Sequence, residues 1–233
     1  MKKVLTIACF MSVAAAAQAQ VTVTPEFGGN LSKFFGYTYD ADANERHTTY
    51  YDWMLGPKAG IGIDIPIGSN GFSIEPMVNY SVRTSRLTHD TEDSLLQTTT
   101  AFSFVEVPIN LKYSWSIKRY TGKLFVQAAP YVAYGLQGKS KYVETVKKPL
   151  HSTTETTGDV VWGDSEPHEF RNLDYGAYFG IGYQFEWGLQ IRANYGLSLG
   201  NMSNVTDAKY NPGSVFNFTV GYVFGRKKAG RFY

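Results

Sequence analysis

The chain has 233 residues, of which 43% are hydrophobic and 15% aromatic, and its 22 basic and 20 acidic residues give a formal net charge of +2 at pH 7. This length suits one domain, and the balanced charge excludes the strongly basic surface of nucleic-acid-binding proteins. We therefore expect no nucleic-acid partner. The single cysteine is Cys9, so the rest of the chain has neither a disulfide nor a thiolate metal site.

The first nineteen residues have the pattern of a secretory signal peptide. Lys2 and Lys3 precede an apolar run over residues 4–17, and Ala17-Gln18-Ala19 matches a small-x-small cleavage site. We predict a cleaved signal peptide over residues 1–19 and one mature domain over residues 20–233. The apolar run is shorter than the roughly 20 residues that a spanning helix needs, and no later stretch reaches that length. Strands must therefore cross any membrane.

Eight segments of the mature chain alternate apolar and polar residues with the period of two that is typical of β-strands. In chain order they are residues 21–39, 50–68, 72–86, 98–117, 124–142, 170–187, 189–203 and 214–225.

The connections between these segments alternate in length. Those at 69–71, at 118–123 and at Gly188 are short, whereas those at 40–49, 87–97, 143–169 and 204–213 are longer and polar. An even strand number with short turns at one end and long loops at the other is typical of outer-membrane barrels, whose short turns face the periplasm. We predict an all-β fold, an eight-stranded antiparallel up-and-down transmembrane β-barrel, with a periplasmic tail over residues 226–233.

The hairpin over residues 174–200 shows the two faces of this barrel most clearly. One row of its side chains is apolar and aromatic, and the opposite row holds glycines, amides and the charged Glu186 and Arg192. Such rows predict a lipid-facing outside and a polar inside. Aromatic residues also gather at strand ends, as membrane-interface girdles do: Tyr37, Trp53, Tyr80 and Tyr134 toward the long loops, and Trp115, Trp187 and Phe224 toward the short turns.

Three prolines oppose the strand assignment. Pro76, Pro108 and Pro130 fall in mid-strand, where a closed barrel offers no edge for a residue without an N–H. We expect β-bulges to absorb them.

Residues 105–113 read Val-Glu-Val-Pro-Ile-Asn-Leu-Lys-Tyr, which resembles the recurring V/L-E-I/V-P-x-x-L-K-Y strand of the Bacteroidetes-type outer-membrane β-barrel family. This porin-like group includes the PorT-type proteins. The hairpin over residues 174–203 resembles that family's G-x-G strand and its following Y-x-x-G-L strand. The resemblance spans the mature chain and implies an outer-membrane barrel with, for most members, no assigned activity. It also places a proline at position 108.

The inward rows collect a set of charged residues of both signs. Five acids face four bases in this predicted lumen network: Glu26, Asp64, Glu75, Glu106 and Glu186 against Lys58, Arg83, Lys112 and Arg192. An eight-stranded barrel is just wide enough for its side chains to fill it, and buried charges need partners. The set therefore predicts a paired polar plug, with a narrow gated conduit as the alternative.

The longest predicted loop, residues 143–169, carries one large apolar side chain, Trp162. Tryptophan is frequent at binding hot spots, so Trp162 is a candidate contact for a partner, although it can also fold back onto the barrel rim. No catalytic, phosphate-binding or metal-binding motif is present. We predict no cofactor, no metal and no enzymatic activity.

The sequence thus favours a structural or surface-interaction protein in the bacterial outer membrane. Its partners are expected to be the lipid bilayer and, through the long loops, envelope or extracellular proteins. A small-solute channel and a PorT-type component of a secretion system are the alternatives. A soluble lipocalin-like barrel is the structural rival, but its lumen would be apolar, the reverse of the charged inward row.

Overall fold

The computed structural model describes residues 21–40, 45–117, 122–148, 151–163, 170–204 and 208–225. The predicted signal peptide over residues 1–19 and the predicted tail over residues 226–233 lie outside these residues. No helix in the described part of the chain is long and apolar enough to cross a membrane.

The described chain forms ten antiparallel strands. They are β1 (Thr22–Asp40), β2 (Glu45–Tyr50), β3 (Met54–Ile67), β4 (Phe72–Asp90), β5 (Ser94–Ser116), β6 (Gly122–Val146), β7 (Ser152–Asp159), β8 (Leu173–Phe185), β9 (Leu189–Ser198) and β10 (Ala208–Tyr222). Eight of them close into a ring in the order β1-β3-β4-β5-β6-β8-β9-β10, and β10 pairs back onto β1. The predicted eight-stranded up-and-down barrel is confirmed.

The two remaining strands lie at the long-loop end. β2 pairs with the end of β1 and continues the line of β3 after a break at residues 51–53. β7 pairs only with the outer half of β6 among the described strands. Strand therefore occupies part of each predicted long loop: β2 in 40–49, the ends of β4 and β5 in 87–97, the end of β6 and all of β7 in 143–169, and the start of β10 in 204–213. Every residue of β7 is exposed, so the apolar alternation that marks a strand in the sequence is lost there.

These extensions form a sheet that projects beyond the ring. β6 makes its last pair with β8 at Tyr134↔Leu173, yet it continues to pair with β5 and β7 as far as Val146. We call this sheet the blade: residues 87–90 of β4, 94–99 of β5, 139–146 of β6 and all of β7. It lies outside the predicted membrane band and on the side of the long loops.

The two faces of the barrel have the predicted orientation. Phe179 and Phe218 on the outer face are 52% and 61% exposed, whereas Glu106 and Arg192 on the inner face are 0% and 3% exposed. An apolar outer surface and a charged interior require hydrocarbon outside. The described girdle residues are exposed on the same outer face: Trp53, Tyr80, Tyr134, Trp115, Trp187 and Phe224. The side chain of Tyr37 lies outside the described part of the structure.

The prediction of bulges at the three prolines is wrong. Pro76, Pro108 and Pro130 each keep a ladder partner on the following strand, and on the preceding strand the described ladder skips two pairs and resumes in the same register. A residue in an antiparallel ladder directs its N–H and C=O to one neighbour. Each proline therefore interrupts one ladder only. Register shifts occur elsewhere, around Lys33 and between Ser103 and Phe104.

Candidate functional site

Arg83 on β4 is the centre of an ion-pair cluster near the long-loop end of the barrel interior. Its Nη2 lies 2.6 Å from Glu106 Oε1 on β5, and its Nη1 lies 2.7 Å from Asp174 Oδ2 on β8. Lys58 Nζ on β3 donates a 2.8 Å hydrogen bond to the other oxygen of Glu106. All four residues are buried. We call Lys58, Arg83, Glu106 and Asp174 the outer charge network.

Two tyrosines complete the hydrogen bonding of the outer charge network. The Tyr178 hydroxyl donates to Glu106 at 3.2 Å and accepts from Arg83 Nη2 at 3.1 Å, and the Tyr131 hydroxyl donates to Asp174 Oδ2 at 3.0 Å. The two rings stack with centroids 4.5 Å apart. Two acids and two bases cancel, and each carboxylate accepts several hydrogen bonds. Such complete pairing is what a buried charge cluster needs to be tolerated.

A second cluster, the periplasmic charge network, lies toward the short turns. Arg192 Nη2 donates to the two oxygens of Glu75 at 3.0 and 2.9 Å, and Arg192 Nε lies 3.4 Å from Glu26 Oε2. Lys112 Nζ lies 3.4 Å from Asp64 Oδ2 and 3.6 Å from Glu75 Oε2. Three acids and two bases give this network one excess negative charge.

Amides and one aromatic ring fill the space around the networks. Gln127 Nε2 donates to Asn110 Oδ1 at 3.1 Å and to Asn194 Oδ1 at 2.8 Å. The Phe125 ring packs against Gly182, where a Cβ would lie 2.2 Å from Phe125 Cζ. This glycine is therefore required for the ring to enter the interior.

Aromatic and apolar side chains close the long-loop end of the interior. The Phe102 ring lies 5.6 Å from Phe34, 5.6 Å from Trp162 and 5.3 Å from Phe170 between centroids. Arg83 Cζ lies 5.0 Å from the Phe104 ring, so this layer rests directly on the outer charge network. We call it the aromatic cap: Phe34, Phe102, Phe104, Val160, Trp162, Phe170, Met202 and Tyr210.

A cavity of about 250 Å³ lies on the loop side of the aromatic cap. We call it the mouth pocket, and its lining residues are Tyr51, Ser85, Leu87, Thr98, Thr100, Ser140, Val160, Phe170 and Tyr210. The residues from β4 and β5 continue the inward rows of Arg83 and Phe102. The pocket therefore combines aromatic rings with side chains that carry hydroxyls.

A register shift brings β6 into the mouth pocket. Ser103 pairs with Gln137 but Phe104 pairs with Gly135, so Leu136 is an extra residue in β6. The shift exchanges the faces of β6, and Ser140 lines the pocket instead of facing outward. A bulge at a barrel rim that re-aims a side chain in this way is a common feature of functional sites.

A family model described as an outer membrane protein beta-barrel domain matches residues 16–203. The chain belongs to this outer-membrane barrel family. The protein is accordingly a transmembrane barrel embedded in the lipid bilayer of the outer membrane, which confirms the predicted localisation and rules out the lipocalin-like rival. The Bacteroidetes-type and PorT-type part of the resemblance stays a prediction.

Solved structures of outer-membrane barrels are similar to this member of the family. Ail, the attachment invasion locus protein of Yersinia pestis, is 13% identical with a TM-score of 0.36, covering 88% of this chain and 99% of its own. Neisserial surface protein A is 11% identical with a TM-score of 0.38, covering 87% and 96%. The protease OmpT of Escherichia coli is 10% identical with a TM-score of 0.27, covering 88% and 96%. No curated protein gives a significant sequence match.

The structure places eight of the nine predicted lumen residues in the two charge networks of this barrel. They are Glu26, Lys58, Asp64, Glu75, Arg83, Glu106, Lys112 and Arg192. Glu186 is the exception. It is exposed in the turn that follows β8, because β8 ends at Phe185 and the inward row ends with it.

Asp174 is fully buried and paired with Arg83, but it is absent from the lumen network that the sequence predicts. Within the hairpin of residues 174–200, Asp174 falls on the same alternate positions as the inward-facing residues. The alternation of the sequence was therefore enough to predict its inward position. Trp162 was predicted as a candidate contact for a partner, and the structure places it elsewhere. Its ring packs in the aromatic cap, where a Cβ on Gly135 would lie 2.7 Å from it, and the alternative in which it folds back onto the barrel describes its position.

Proposed function

We propose that this protein is a non-enzymatic, non-conducting outer-membrane protein that acts by binding macromolecules at the cell surface through the blade. The observation that carries the proposal is the filled interior, in which two charge networks and an aromatic cap occupy the lumen of an eight-stranded ring. A barrel of this size has room for side chains or for one small ligand. Solute passage would require several ion pairs to break together.

The proposed lack of an enzymatic role is supported by the position of two carboxylates in the described part of the lumen. The carboxylates of Glu106 and Asp174 are fully buried, each contacts a cation, and both lie beneath the aromatic cap. A general base must reach the proton it removes. Neither carboxylate can reach a substrate in the medium unless the cap is displaced.

Surface binding is supported by the blade. Every residue of β7 is exposed, and among the described strands β7 pairs on one side only, with β6. Its free edge presents a row of backbone donors and acceptors, which partner strands recognise. The pair Lys141 Nζ to Glu155 Oε1, at 2.6 Å, holds β7 to β6 on the exposed surface.

Conductance in planar lipid bilayers tests the plugged interior. We expect no channel steps from the refolded wild-type protein. A channel would show reproducible steps whose ion selectivity changes in Glu106→Gln or Lys112→Gln, and that result would overturn the non-conducting part of the proposal. Exposed Glu155→Gln serves as the matched control, because Glu155 lies on the blade, away from the lumen.

Site-specific photo-crosslinking on intact cells tests the blade. A photoreactive residue at Thr154 or Thr156 of β7 should capture a macromolecular partner, whereas one at the lipid-facing Phe218 should not. An excess of purified wild-type protein, which keeps the blade, should compete for the partner and remove the crosslinked product. Replacing residues 141–157 by Asn-Gly, which joins the paired Ser140 and Gly158, should abolish that competition while the barrel still refolds. Equal crosslinking from all three positions would contradict the proposal.

The PorT-type alternative makes a different prediction. A secretion-system component should co-purify with a periplasmic or membrane partner, and this association should survive replacement of residues 141–157. Loss of all association in the trimmed protein would favour the blade.

A further inference from the structure

We infer that the mouth pocket is a binding site for one ring of an uncharged saccharide. This inference goes beyond the proposed function, because the pocket shares only Leu87, Thr98 and Ser140 with the base of the blade, and no residue of the exposed strand β7 lines it. It has three supports: the arrangement of its rings, the hydroxyls of its wall, and the lack of charge among the lining residues that the structure describes.

The rings that line the pocket pack against each other at steep angles. Tyr51 and Tyr210 meet edge to face with centroids 5.5 Å apart and planes at 86°, and Phe170 lies 5.1 Å from Tyr210 at 58°. An aromatic face carries partial negative charge. The C–H groups on one side of a pyranose ring carry partial positive charge, so they pack favourably against such a face.

The lining also supplies hydrogen-bonding groups in pairs. Ser85 Oγ lies 2.8 Å from the Tyr210 hydroxyl, and Thr100 Oγ1 lies 3.1 Å from Ser140 Oγ. Each hydroxyl has one proton and two lone pairs, so a pair that shares one hydrogen bond retains a second proton and several acceptor sites. Thr98 adds another hydroxyl to the lining. Groups that both donate and accept match the hydroxyls of a sugar, which also do both.

The described lining residues disfavour a charged ligand, and the cavity volume limits the size of a neutral one. None of the nine described lining residues is ionic at neutral pH, so an anionic or cationic ring would lose its hydration without gaining a partner. The volume of about 250 Å³ lies just below the roughly 300–1,000 Å³ of sites for drug-sized molecules. The pocket therefore accommodates a single ring, either free or at the end of a glycan.

Saturation-transfer NMR tests the inference on the full-length refolded barrel. The protein is held in a zwitterionic or amine-oxide detergent, because the head groups of maltoside and glucoside detergents would compete. The probes are methyl glucoside, methyl galactoside, methyl mannoside and glucose 6-phosphate. We expect at least one neutral glycoside to bind with a dissociation constant of order 1 mM, the affinity that about a dozen atoms provide, and glucose 6-phosphate to bind at least about 10-fold more weakly.

Two variants and a control locate the binding. Ser85→Ala with Thr100→Ala removes two wall hydroxyls and should weaken binding about 5-fold or more, as expected for lost hydrogen bonds. Tyr210→Phe keeps the ring and should weaken binding less. Ser69→Ala removes an exposed hydroxyl from the turn between β3 and β4, at the opposite end of the barrel, and should leave binding unchanged. Heat-modified gel mobility shows that each barrel is folded.

Three results would overturn the inference. One is the absence of transfer to every neutral glycoside, and another is equal affinity in wild type and the double variant when both are folded. The third is stronger binding of glucose 6-phosphate that weakens with added salt. This last result would assign recognition to charged groups outside the pocket.

Discussion

Arg83 Nη1 lies 2.7 Å from Asp174 Oδ2, although 91 residues separate the two in the sequence. The contact joins β4 to β8, which are separated in the ring by β5 and β6. The same guanidinium binds Glu106 on β5. One side chain therefore braces three strands across the lumen, and the stability of the barrel depends on the charge balance around it.

Neutralising Asp174 should destabilise the barrel strongly. Asp174→Asn keeps the shape of the side chain but leaves Lys58 and Arg83 opposite the single carboxylate of Glu106. Removing one partner of a buried ion pair typically costs about 3 kcal/mol or more. Equilibrium urea unfolding of the protein refolded in lipid vesicles measures this loss.

The matched control for that experiment is Asp159→Asn. Asp159 is exposed on β7, so the same chemical change should leave the free energy of unfolding almost unaltered. Equal free energies for the two variants would mean that the outer charge network does not brace the barrel.

The fold was predictable because membrane and lumen impose opposite chemistry on alternate residues. The alternation placed Glu106 and Arg192 inside and Phe179 and Phe218 outside, as the structure does. It failed for Glu186 because alternation says nothing about where a strand ends, and the chain turns after Phe185. Asp174 follows the same alternation as the inward residues, but the predicted lumen network did not include it.

The blade and the aromatic cap were beyond the reach of that pattern. The residues of β7 are all exposed, so no solvent boundary enforces a period of two along them. Trp162 lies far along the chain from Phe34 and Phe102, and only the closed ring brings the three rings together. The mouth pocket further depends on the extra residue Leu136 in β6. The residues around Leu136 give no sequence pattern that would predict this bulge.

Adding a side chain at Gly182 should damage the packing of the interior. In Gly182→Val the new Cβ would lie 2.2 Å from Phe125 Cζ and 2.7 Å from the Ile191 carbonyl oxygen, so the ring or the strand must move. Overpacking of this kind costs about 1–3 kcal/mol. Urea unfolding and the yield of refolded barrel measure the effect.

Gly158→Val is the control for the Gly182 variant. A Cβ on Gly158 would have no neighbour within 4 Å, and valine suits a strand. This variant should refold as well as wild type. If both variants refolded equally well with unchanged stability, close packing of Phe125 against Gly182 would be ruled out.

Quenching by brominated lipids should separate Trp162 from the other tryptophans. Trp53, Trp115 and Trp187 are 40%, 38% and 58% exposed on the lipid-facing surface, whereas Trp162 packs in the aromatic cap. Trp162→Phe should therefore keep most of the quenching. The triple variant that retains only Trp162 should be quenched little. Strong quenching of the triple variant would place Trp162 against lipid and contradict the cap.

The free energy of unfolding should decrease at alkaline pH, and ionisation of the Tyr210 phenol should account for part of the decrease. Burial raises the pKa of the Tyr210 phenol above its ordinary value, with the Tyr51 phenol adding to the effect and the Ser85 hydrogen bond opposing it. In the unfolded chain a tyrosine ionises near pH 10. Above that pH the unfolded state binds fewer protons than the folded state, so the free energy of unfolding decreases as pH rises.

Tyr210→Phe lacks this ionisation and isolates its contribution. Below pH 9 the variant should be less stable than wild type by about 1 kcal/mol, because the hydrogen bond to Ser85 is lost. Above pH 10 the wild type should lose about 1.4 kcal/mol per pH unit relative to the variant, so their stabilities should become equal near pH 11. Urea unfolding of both proteins from pH 7 to pH 11.5 tests this, and a difference that stays constant over the whole range would show that the Tyr210 phenol is not shielded from water in the folded barrel.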